Sequence, residues 1–379
     1  MSAHPVKVYD NENQVGVAVR KNLVVQALRG IAAISVVIFH ASLLLDDLST
    51  DAKQSIFGPL APFGVDIFFL ISGYIIAASV SRYPSGGTSA GLFLMKRLIR
   101  IWPPYAIATA IFCAAYALKN GTAPVFPELL RSLAFIQLSD EPPYYGFASL
   151  VVGWTLNYEM FFYVVMALVL LLPRWRWQAA IAIFLTALVL IPLTIQPGLS
   201  IYQLIDAGRA DANAYVITNP LCWLFALGAL VHFIEQRGFS LRSKAATALF
   251  TSASIFFLIY CYGSPGMNGH GLTGMGLAVF PLFIVAVLAR KQIERYVPKW
   301  LVFSGDISFS VYLTHIIVLS IAKAALTPFG VTGLWLMMSA IAASLTAGAL
   351  YYSFIERPLT RWLSSRAAGA AAGRMAAVR

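Results

Sequence analysis

The sequence predicts an all-α protein that crosses a membrane with about ten helices and has both termini in the cytoplasm. Of its 379 residues, 59% are hydrophobic and 11% are charged, whereas soluble domains carry about 25% charged residues. The apolar residues lie in separate stretches, each close to the ~20 residues that a helix needs to cross a bilayer. We place the ten spans at about 23–45, 63–81, 101–118, 149–172, 179–195, 215–234, 244–262, 272–289, 307–326 and 331–354.

The distribution of positive charge sets the predicted topology. The net charge is +11, and with the N-terminus in the cytoplasm, 22 of the 27 Lys and Arg residues fall in cytoplasmic segments. Cytoplasmic loops of membrane proteins carry such an excess. The excess of basic residues therefore reflects the membrane topology, and we expect no nucleic-acid partner. It also gives the cytoplasmic face a positive potential toward anionic membrane lipid or an anionic soluble cofactor.

The spans predict one integral membrane domain, 23–359, between two cytoplasmic tails, 1–22 and 360–379. Residues 1–22 contain no apolar core, so we expect no cleavable signal peptide and expect the first span to direct insertion. Three cysteines lie in or beside separate apolar segments without pairing or metal-ligand spacing, so we predict neither a disulfide nor a metal site. These cysteines are Cys113, Cys222 and Cys261.

The first span carries one cation, Arg29, and one imidazole, His40. Their spacing of 11 residues puts both on one helix face, separated by about 16 Å along the axis. Polar groups inside a membrane helix usually face the bundle interior and serve a function. We therefore predict that this face lines a reaction channel. The alternative is that Arg29 reaches the headgroups while His40 bonds to a neighbouring helix.

The second span places Asp66 near its outer end. The helix rise puts Asp66 and His40 at about the same depth, 9 Å above the midplane. We predict that Asp66 orients His40, because a carboxylate often fixes the tautomer of a catalytic histidine. Asp66 could instead cap the helix. Ser72 and Gly73 lie near mid-bilayer, where small residues serve helix packing or leave room for a slender ligand.

A cytoplasmic cluster of cations precedes the third span. Lys96, Arg97 and Arg100 fall within five positions, so they form a phosphate-binding surface if they face inward. The alternative is that they only obey the positive-inside rule or bind lipid headgroups. After this span, the outer loop 119–147 is a candidate contact for an acceptor substrate.

The later spans add further polar residues. Glu159 lies near the middle of the fourth span, where an ionised carboxylate is costly unless it is paired or solvated. Ser308, Tyr312 and His315 share one face of the ninth span at spacings of four and three. We assign no catalytic role to His270, which lies in a glycine-containing outer loop.

The motifs together resemble the acyltransferase 3 family of bacterial membrane acyltransferases, over roughly 23–359. Six motifs carry the resemblance in order along the chain: Arg29 with His40, GVDIFFLISGY at 64–74, RLIR at 97–100, WTLNYEMFFY at 154–163, GDISFSVYLTH at 305–315 and ERP at 356–358. The resemblance implies transfer of an acyl group, usually acetyl, from cytoplasmic acyl-CoA to a sugar hydroxyl, often across the membrane.

The resemblance implies roles for the motif residues. Arg29, Arg97 and Arg100 would hold the nucleotide end of acyl-CoA, the cosubstrate, and no permanently bound cofactor is implied. The pantetheine arm would pass residues that we assign to donor binding. His40 would act as the general base and Asp66 would orient it, while Glu159 would orient the acceptor or stabilise the site. The donor-binding residues would be Ser72, Gly73, Ser308, Tyr312 and His315.

The acceptor would be a glycan or glycolipid, and the location would be the inner membrane of a bacterium. The sequence leaves the particular acceptor and the acyl length open. A proton-coupled secondary transporter is the alternative, with Glu159, His40 and Arg29 carrying the coupling. Transporters usually show corresponding halves with interrupted helices, and the sequence shows none by eye.

Overall fold

A computed structural model of the protein describes residues 22–121, 125–138, 148–206, 208–264 and 266–377, with side chains as far as 368. Residues 1–21 of the predicted N-terminal tail lie outside the described residues, as do 122–124 and 139–147 of the outer loop that we proposed as an acceptor contact. Within the described ranges the regular structure is helical and contains no strand. The all-α prediction is confirmed.

The ten predicted spans all coincide with helices of the structure. Nine segments are long and apolar enough to cross a membrane, and a tenth combines Met275–Leu288 with Arg290–Tyr296 across a bend of 74°. These counts refer to the described residues. The principal helices are α1 (Leu23–Ser42), α2 (Leu60–Val80), α3 (Gly87–Asn120), α4 (Trp154–Leu170), α5 (Arg176–Leu185), α6 (Trp223–Gln236), α7 (Lys244–Tyr262), α8 (Met275–Leu288), α9 (Ser308–Leu326) and α10 (Gly333–Tyr351).

Shorter helices connect or extend the principal ones. After α5, a π-helical turn and a last helical turn complete the span, and after α10 a π-helical turn leads into a C-terminal helix. The segment that we predicted as a C-terminal tail is therefore helical as far as Ala377. The additional α-helices are Thr50–Phe57, Phe126–Leu133, Ile191–Ile195, Ala212–Thr218, Arg290–Ile293, Lys299–Asp306 and Arg357–Ala377.

The two ends of the bundle are defined by α1. We call the end where α1 begins the near end and the end where it stops the far end, which the predicted topology places in the cytoplasm and outside, respectively. At the near end, Glu235 of α6 accepts a hydrogen bond from Tyr74 of α2 at 2.6 Å and pairs with Arg290 after α8 at 2.9 Å. At the far end, Tyr262 of α7 donates to the backbone of Ile56.

Helix α2 lies at the centre of the bundle because glycines let two neighbours approach its backbone. A Cβ atom on Gly64 would lie 2.4 Å from the carbonyl oxygen of Ala32 in α1. On another face, a Cβ on Gly73 would lie 2.1 Å from the Phe225 carbonyl of α6, and one on Gly228 of α6 would lie 2.0 Å from the Leu70 carbonyl. Small residues at membrane helix contacts allow such close packing. The contacts fix the rotation of α2 about its axis.

Helix α3 continues through Pro103 and Pro104. Each proline removes the donor to the carbonyl four residues earlier, here those of Ile99 and Arg100. A separate contact holds the next turn. The carbonyl of Pro104 accepts a hydrogen bond from the hydroxyl of Tyr351 in α10 at 2.5 Å. This bond joins α10 to α3 just beyond the arginine cluster and so positions the start of the C-terminal helix beside that cluster.

We expect Gly73→Ala to destabilise the protein by about 1–3 kcal/mol, the usual cost of inserting atoms into a packed contact. The matched control is Gly91→Ala in α3, where no atom lies within 4 Å of the Cβ position. Since alanine favours helix more than glycine by about 1 kcal/mol, this control should be neutral or stabilising. Thermal unfolding in detergent measures both, and equal melting temperatures for the two variants would contradict the close packing.

Candidate active site

A cavity of about 830 Å³, including its open mouth, lies between α1, α2, α3, α4 and α9. Phenylalanine, leucine and isoleucine side chains form much of its wall. Eight of the 17 lining residues are polar, and they come from all five helices. The polar lining residues are Arg29, Ser72, Arg97, Arg100, Thr155, Glu159, Tyr163 and Tyr312.

Three arginines give the cavity its charge. Arg29 comes from α1, and Arg97 and Arg100 come from adjacent turns of α3. The Arg97 side chain is 7% exposed, and its guanidinium lies 5.6 Å from the ring centre of Phe93 and 5.9 Å from that of Tyr163. Such cation–π contacts suit arginine because its cation is planar and weakly hydrated. The cavity therefore presents fixed positive charge on a rigid wall.

Carboxylates balance these cations from two sides. Glu159 lines the cavity and accepts hydrogen bonds from the hydroxyl of Tyr163, one turn further along α4, and from Ser72 Oγ at 3.4 Å. Glu356, after α10, accepts from Ser310 and lies within electrostatic range of Arg29 and Arg100 without lining the cavity. The arginines therefore have carboxylates nearby, while the cavity lining carries more positive than negative groups.

His40 lies at the far end of α1, in contact with a second histidine. Its Nδ1 is 3.0 Å from the carbonyl oxygen of Val36 and 3.3 Å from Nε2 of His315. The Nδ1 of His315 lies 3.1 Å from the Val311 carbonyl and 2.8 Å from the Tyr312 carbonyl. These contacts bring the two imidazoles together at the contact between α1 and α9.

The contacts assign a tautomer to each ring. A carbonyl oxygen only accepts hydrogen bonds, so Nδ1 of His315 carries the proton and Nε2 of the neutral ring is an acceptor. That acceptor pairs with a proton on Nδ1 of His40. The Nε2 atom of His40 is consequently the unprotonated nitrogen, and it makes no hydrogen bond within the described part of the chain. His40 is therefore oriented as a proton acceptor.

Tyr312 connects the histidine pair with the cavity. Its ring centre lies 5.9 Å from that of the fully buried His315, and the tyrosine lines the cavity. Its hydroxyl donates to the Val152 carbonyl at 2.9 Å and therefore accepts from Thr155 Oγ1 at 3.0 Å. Along the continuous helix α1, His40 lies about 16 Å from Arg29. The structure thus has an arginine-lined region toward the near end and the unprotonated Nε2 of His40 at the far end.

The predicted pairing of Asp66 with His40 is wrong. Asp66 accepts a hydrogen bond from His270 Nδ1 at 2.9 Å and another from the backbone N–H of Gly271 at 2.9 Å. The reason is rotation about the helix axis. Gly64 faces α1, and Asp66, two residues later, is turned by about 200° to the opposite side of α2. Equal depth in the membrane therefore did not bring the two side chains together.

Three predicted donor contacts are also wrong in this structure. Gly73 packs against the backbone of Phe225, which leaves no room for a ligand. Ser308 and His315 are completely buried and do not line the cavity. His315 instead supports His40, whereas Ser308 has a buried hydroxyl without a hydrogen-bond partner.

The other site residues that we selected from the sequence line the cavity, apart from His40 and Asp66. The residues that line it are Arg29, Ser72, Arg97, Arg100, Glu159 and Tyr312. Sequence reasoning missed Thr155, Tyr163 and His270. The spacing of four between Glu159 and Tyr163 on one helix could have indicated their contact. Nothing in the loop around His270 indicates its partner, because that contact joins residues 204 positions apart. Among the described residues, no three His, Cys, Asp or Glu side chains are grouped as a metal site requires.

The fold and the site define a multi-pass membrane protein with a cationic cavity and with two histidines in contact at the far end of the bundle. The profile of the acyltransferase 3 family, described as an acyltransferase domain, matches residues 22–354. The chain belongs to the acyltransferase 3 family, and it is an acyltransferase. This membership decides against the secondary transporter that the buried charges had left open.

Curated relatives are similar over most of their length. The exopolysaccharide production protein ExoZ of Rhizobium meliloti is 31% identical over 313 residues, which cover 79% of this chain and 89% of the relative. BcsY of Komagataeibacter xylinus, named as a membrane-bound transacylase, is 26% identical over 88% of this chain and 81% of its own. Nodulation protein 10 of Rhizobium leguminosarum bv. viciae is 26% identical, with coverage of 80% and 83%. No solved structure matches the chain significantly.

Proposed function

We propose that this acyltransferase moves an acetyl group from cytoplasmic acetyl-CoA to a hydroxyl of an extracytoplasmic glycan or glycolipid. The proposed location is the inner membrane of a bacterium, with the near end of the bundle in the cytoplasm. The name of ExoZ refers to exopolysaccharide production, which supports a polysaccharide as the acceptor. The positive-inside distribution of Lys and Arg supports the orientation.

The observation that carries the proposal is the group of three arginines in one cavity, toward the end of the bundle where we place the cytoplasm. Acyl-CoA bears phosphate groups on its nucleotide end, and arginine binds phosphate through parallel charge-assisted hydrogen bonds. The rest of the wall is mostly apolar, which suits the pantetheine arm and the uncharged thioester. The cavity chemistry therefore fits an anionic donor with a neutral reacting end.

His40 supplies the base in this proposal. Its Nε2 takes the proton of the acceptor hydroxyl while the hydroxyl oxygen attacks the thioester carbonyl. The carbon–sulfur bond then breaks, and the CoA thiolate takes up a proton as it leaves. Positioned bases of this kind contribute about 10²- to 10⁴-fold in rate. His315 is a positioning residue, because it holds Nδ1 of His40 and leaves Nε2 for the acceptor.

The direct test combines a labelled donor with the native acceptor. Membranes that contain the protein would be mixed with acetyl-CoA labelled in the acetyl group and with surface polysaccharide from cells that lack the gene. We expect label in the polysaccharide and a mass increase of one acetyl unit per modified residue. Transfer from another acyl donor, with none from acetyl-CoA, would contradict the donor assignment.

We expect Arg97→Ala and Arg100→Ala to raise the KM for acetyl-CoA, each by about tenfold or more, because a hydrogen bond to a charged group contributes about 1.5–3 kcal/mol. The measurement is initial rate against donor concentration, with CoA binding as a second readout. Arg242→Ala is the matched control, since Arg242 is exposed and lies outside the cavity. Unchanged CoA affinity in both cavity variants would place the phosphate site elsewhere.

We expect His40→Gln to lower kcat by at least about 10² while CoA binding stays normal, because an amide keeps size and hydrogen bonding but accepts no proton at neutral pH. His40→Ala should be equally inactive. Size-exclusion chromatography in detergent checks that both variants are monodisperse. Near-normal transfer by His40→Gln would falsify the general-base assignment.

His315 provides a test of the tautomer assignment. Glutamine at this position can present an amide oxygen where Nε2 of His315 accepts from His40, whereas leucine fills the space without an acceptor. We expect His315→Gln to retain at least about tenfold more activity than His315→Leu at similar thermal stability. A purely structural role would make activity follow the melting temperature of each variant.

A further inference from the structure

A third histidine with an oriented ring, His270, lies at the far end of the bundle and does not line the cavity. Asp66 has no exposed surface, and both of its carboxylate oxygens are used: Oδ1 by His270 and Oδ2 by the backbone N–H of Gly271. A buried carboxylate is costly unless it is hydrogen-bonded. The Asp66–His270 pair therefore joins α2 to the loop before α8.

The contact with Asp66 determines what His270 can do. An ionised carboxylate only accepts, so Nδ1 of His270 carries a proton and donates it. The other ring nitrogen, Nε2, is left for a different partner. The His270 side chain is 25% exposed, so part of the imidazole can contact a ligand. Anchoring the loop to Asp66 uses only the Nδ1 donor, so Nε2 plays no part in that contact.

An aromatic ring stands beside this histidine. The ring centre of Trp154 lies 5.6 Å from that of His270, with the ring planes at 72°. Trp154 is the first residue of α4 and is half-buried. Tryptophan offers a large apolar face together with a polar edge, and the C–H faces of sugar rings stack on such surfaces. A nitrogen that hydrogen-bonds a hydroxyl and an apolar ring surface are the two elements that a protein needs to bind a sugar ring.

Two residues that neighbour this site in sequence line the cavity. Thr155 lines the cavity and directly follows Trp154, and Val65 lines it and directly precedes Asp66. The histidine and the tryptophan lie at the far end of the bundle, and the helices that carry Trp154 and Asp66 also contribute residues to the cavity wall. In the proposed orientation, an extracytoplasmic acceptor approaches from this end.

We propose that His270 and Trp154 form a binding subsite for a sugar ring of the acceptor, with Asp66 as the residue that positions His270. The subsite rests on the proposed transfer to a glycan. A sugar hydroxyl pairs with Nε2 of His270, and the ring stacks on Trp154. Binding there holds a neighbouring hydroxyl of the same glycan for attack on the donor.

Two substitutions of His270 separate binding from anchoring. Asparagine places its side-chain N–H near the position of Nδ1, so His270→Asn keeps the bond to Asp66 and loses Nε2. Glutamine reaches the position of Nε2, so His270→Gln keeps a polar group there and loses the donor to Asp66. The assay uses acetyl-CoA as the donor and unacetylated surface polysaccharide, from cells lacking the gene, as the acceptor.

We expect His270→Asn to raise the KM for the polysaccharide about tenfold, the usual effect of one lost hydrogen bond, with unchanged CoA binding and melting temperature. Trp154→Leu should raise the same KM, and Trp154→Phe should raise it less. The control is Tyr262→Phe, which removes another far-end loop contact, to Ile56, and should leave the acceptor KM unchanged.

The outcomes distinguish this subsite from the function on which it rests. Wild-type acceptor KM in His270→Asn, with a lowered melting temperature in His270→Gln, would show that the pair only anchors the loop and would overturn the subsite. Loss of kcat at normal acceptor KM in His270→Asn would also overturn it, because His270 would then act in the chemical step. Failure of the wild-type protein to acetylate any polysaccharide would overturn the proposed function itself.

Discussion

Three guanidinium groups lie inside an apolar helix bundle, and the surrounding helices must supply partners for their charge. A single arginine at the centre of a membrane helix costs at least about 2.5–3.5 kcal/mol unless it finds partners or water. Arg97 finds aromatic rings from α3 and α4, and Arg29 finds electrostatic partners that include Glu159 and Glu356. These partners come from separate helices. The arginines therefore fix the relative positions of the helices as well as the charge of the cavity.

Hydropathy was sufficient to predict the spans, because a helix in a bilayer must be apolar over a nearly fixed length whatever its neighbours are. The depth of a side chain follows equally simply from the helix rise. Rotation about the helix axis does not, since it depends on which faces pack. Asp66 shows the difference: its depth matched that of His40, but Gly64 faces α1 and so turns Asp66 toward α6 and α8.

Ser72 and Gly73 show the same limit at neighbouring positions. Both are small and both lie near mid-bilayer, so residue type and depth do not separate them. Adjacent residues of a helix differ by about 100° around the axis, so Ser72 faces the cavity and Gly73 faces α6. The arginine cluster was easier to predict because Arg97 and Arg100 lie one turn apart on one helix. Contacts within a helix follow from spacing, whereas contacts between helices follow from packing.

The two histidines at the far end differ in the group that holds Nδ1, and that difference suits them to different tasks. Nδ1 of His270 donates to a carboxylate, which holds the ring in one orientation. Nδ1 of His40 contacts a carbonyl and a second imidazole, and neither supplies a negative charge. A proton taken up by His40 is therefore not retained by a counter-ion and can pass to a leaving thiolate. The carboxylate-backed His270 keeps a fixed orientation, as holding a substrate requires. Separate residues for proton transfer and for acceptor positioning follow from these two environments.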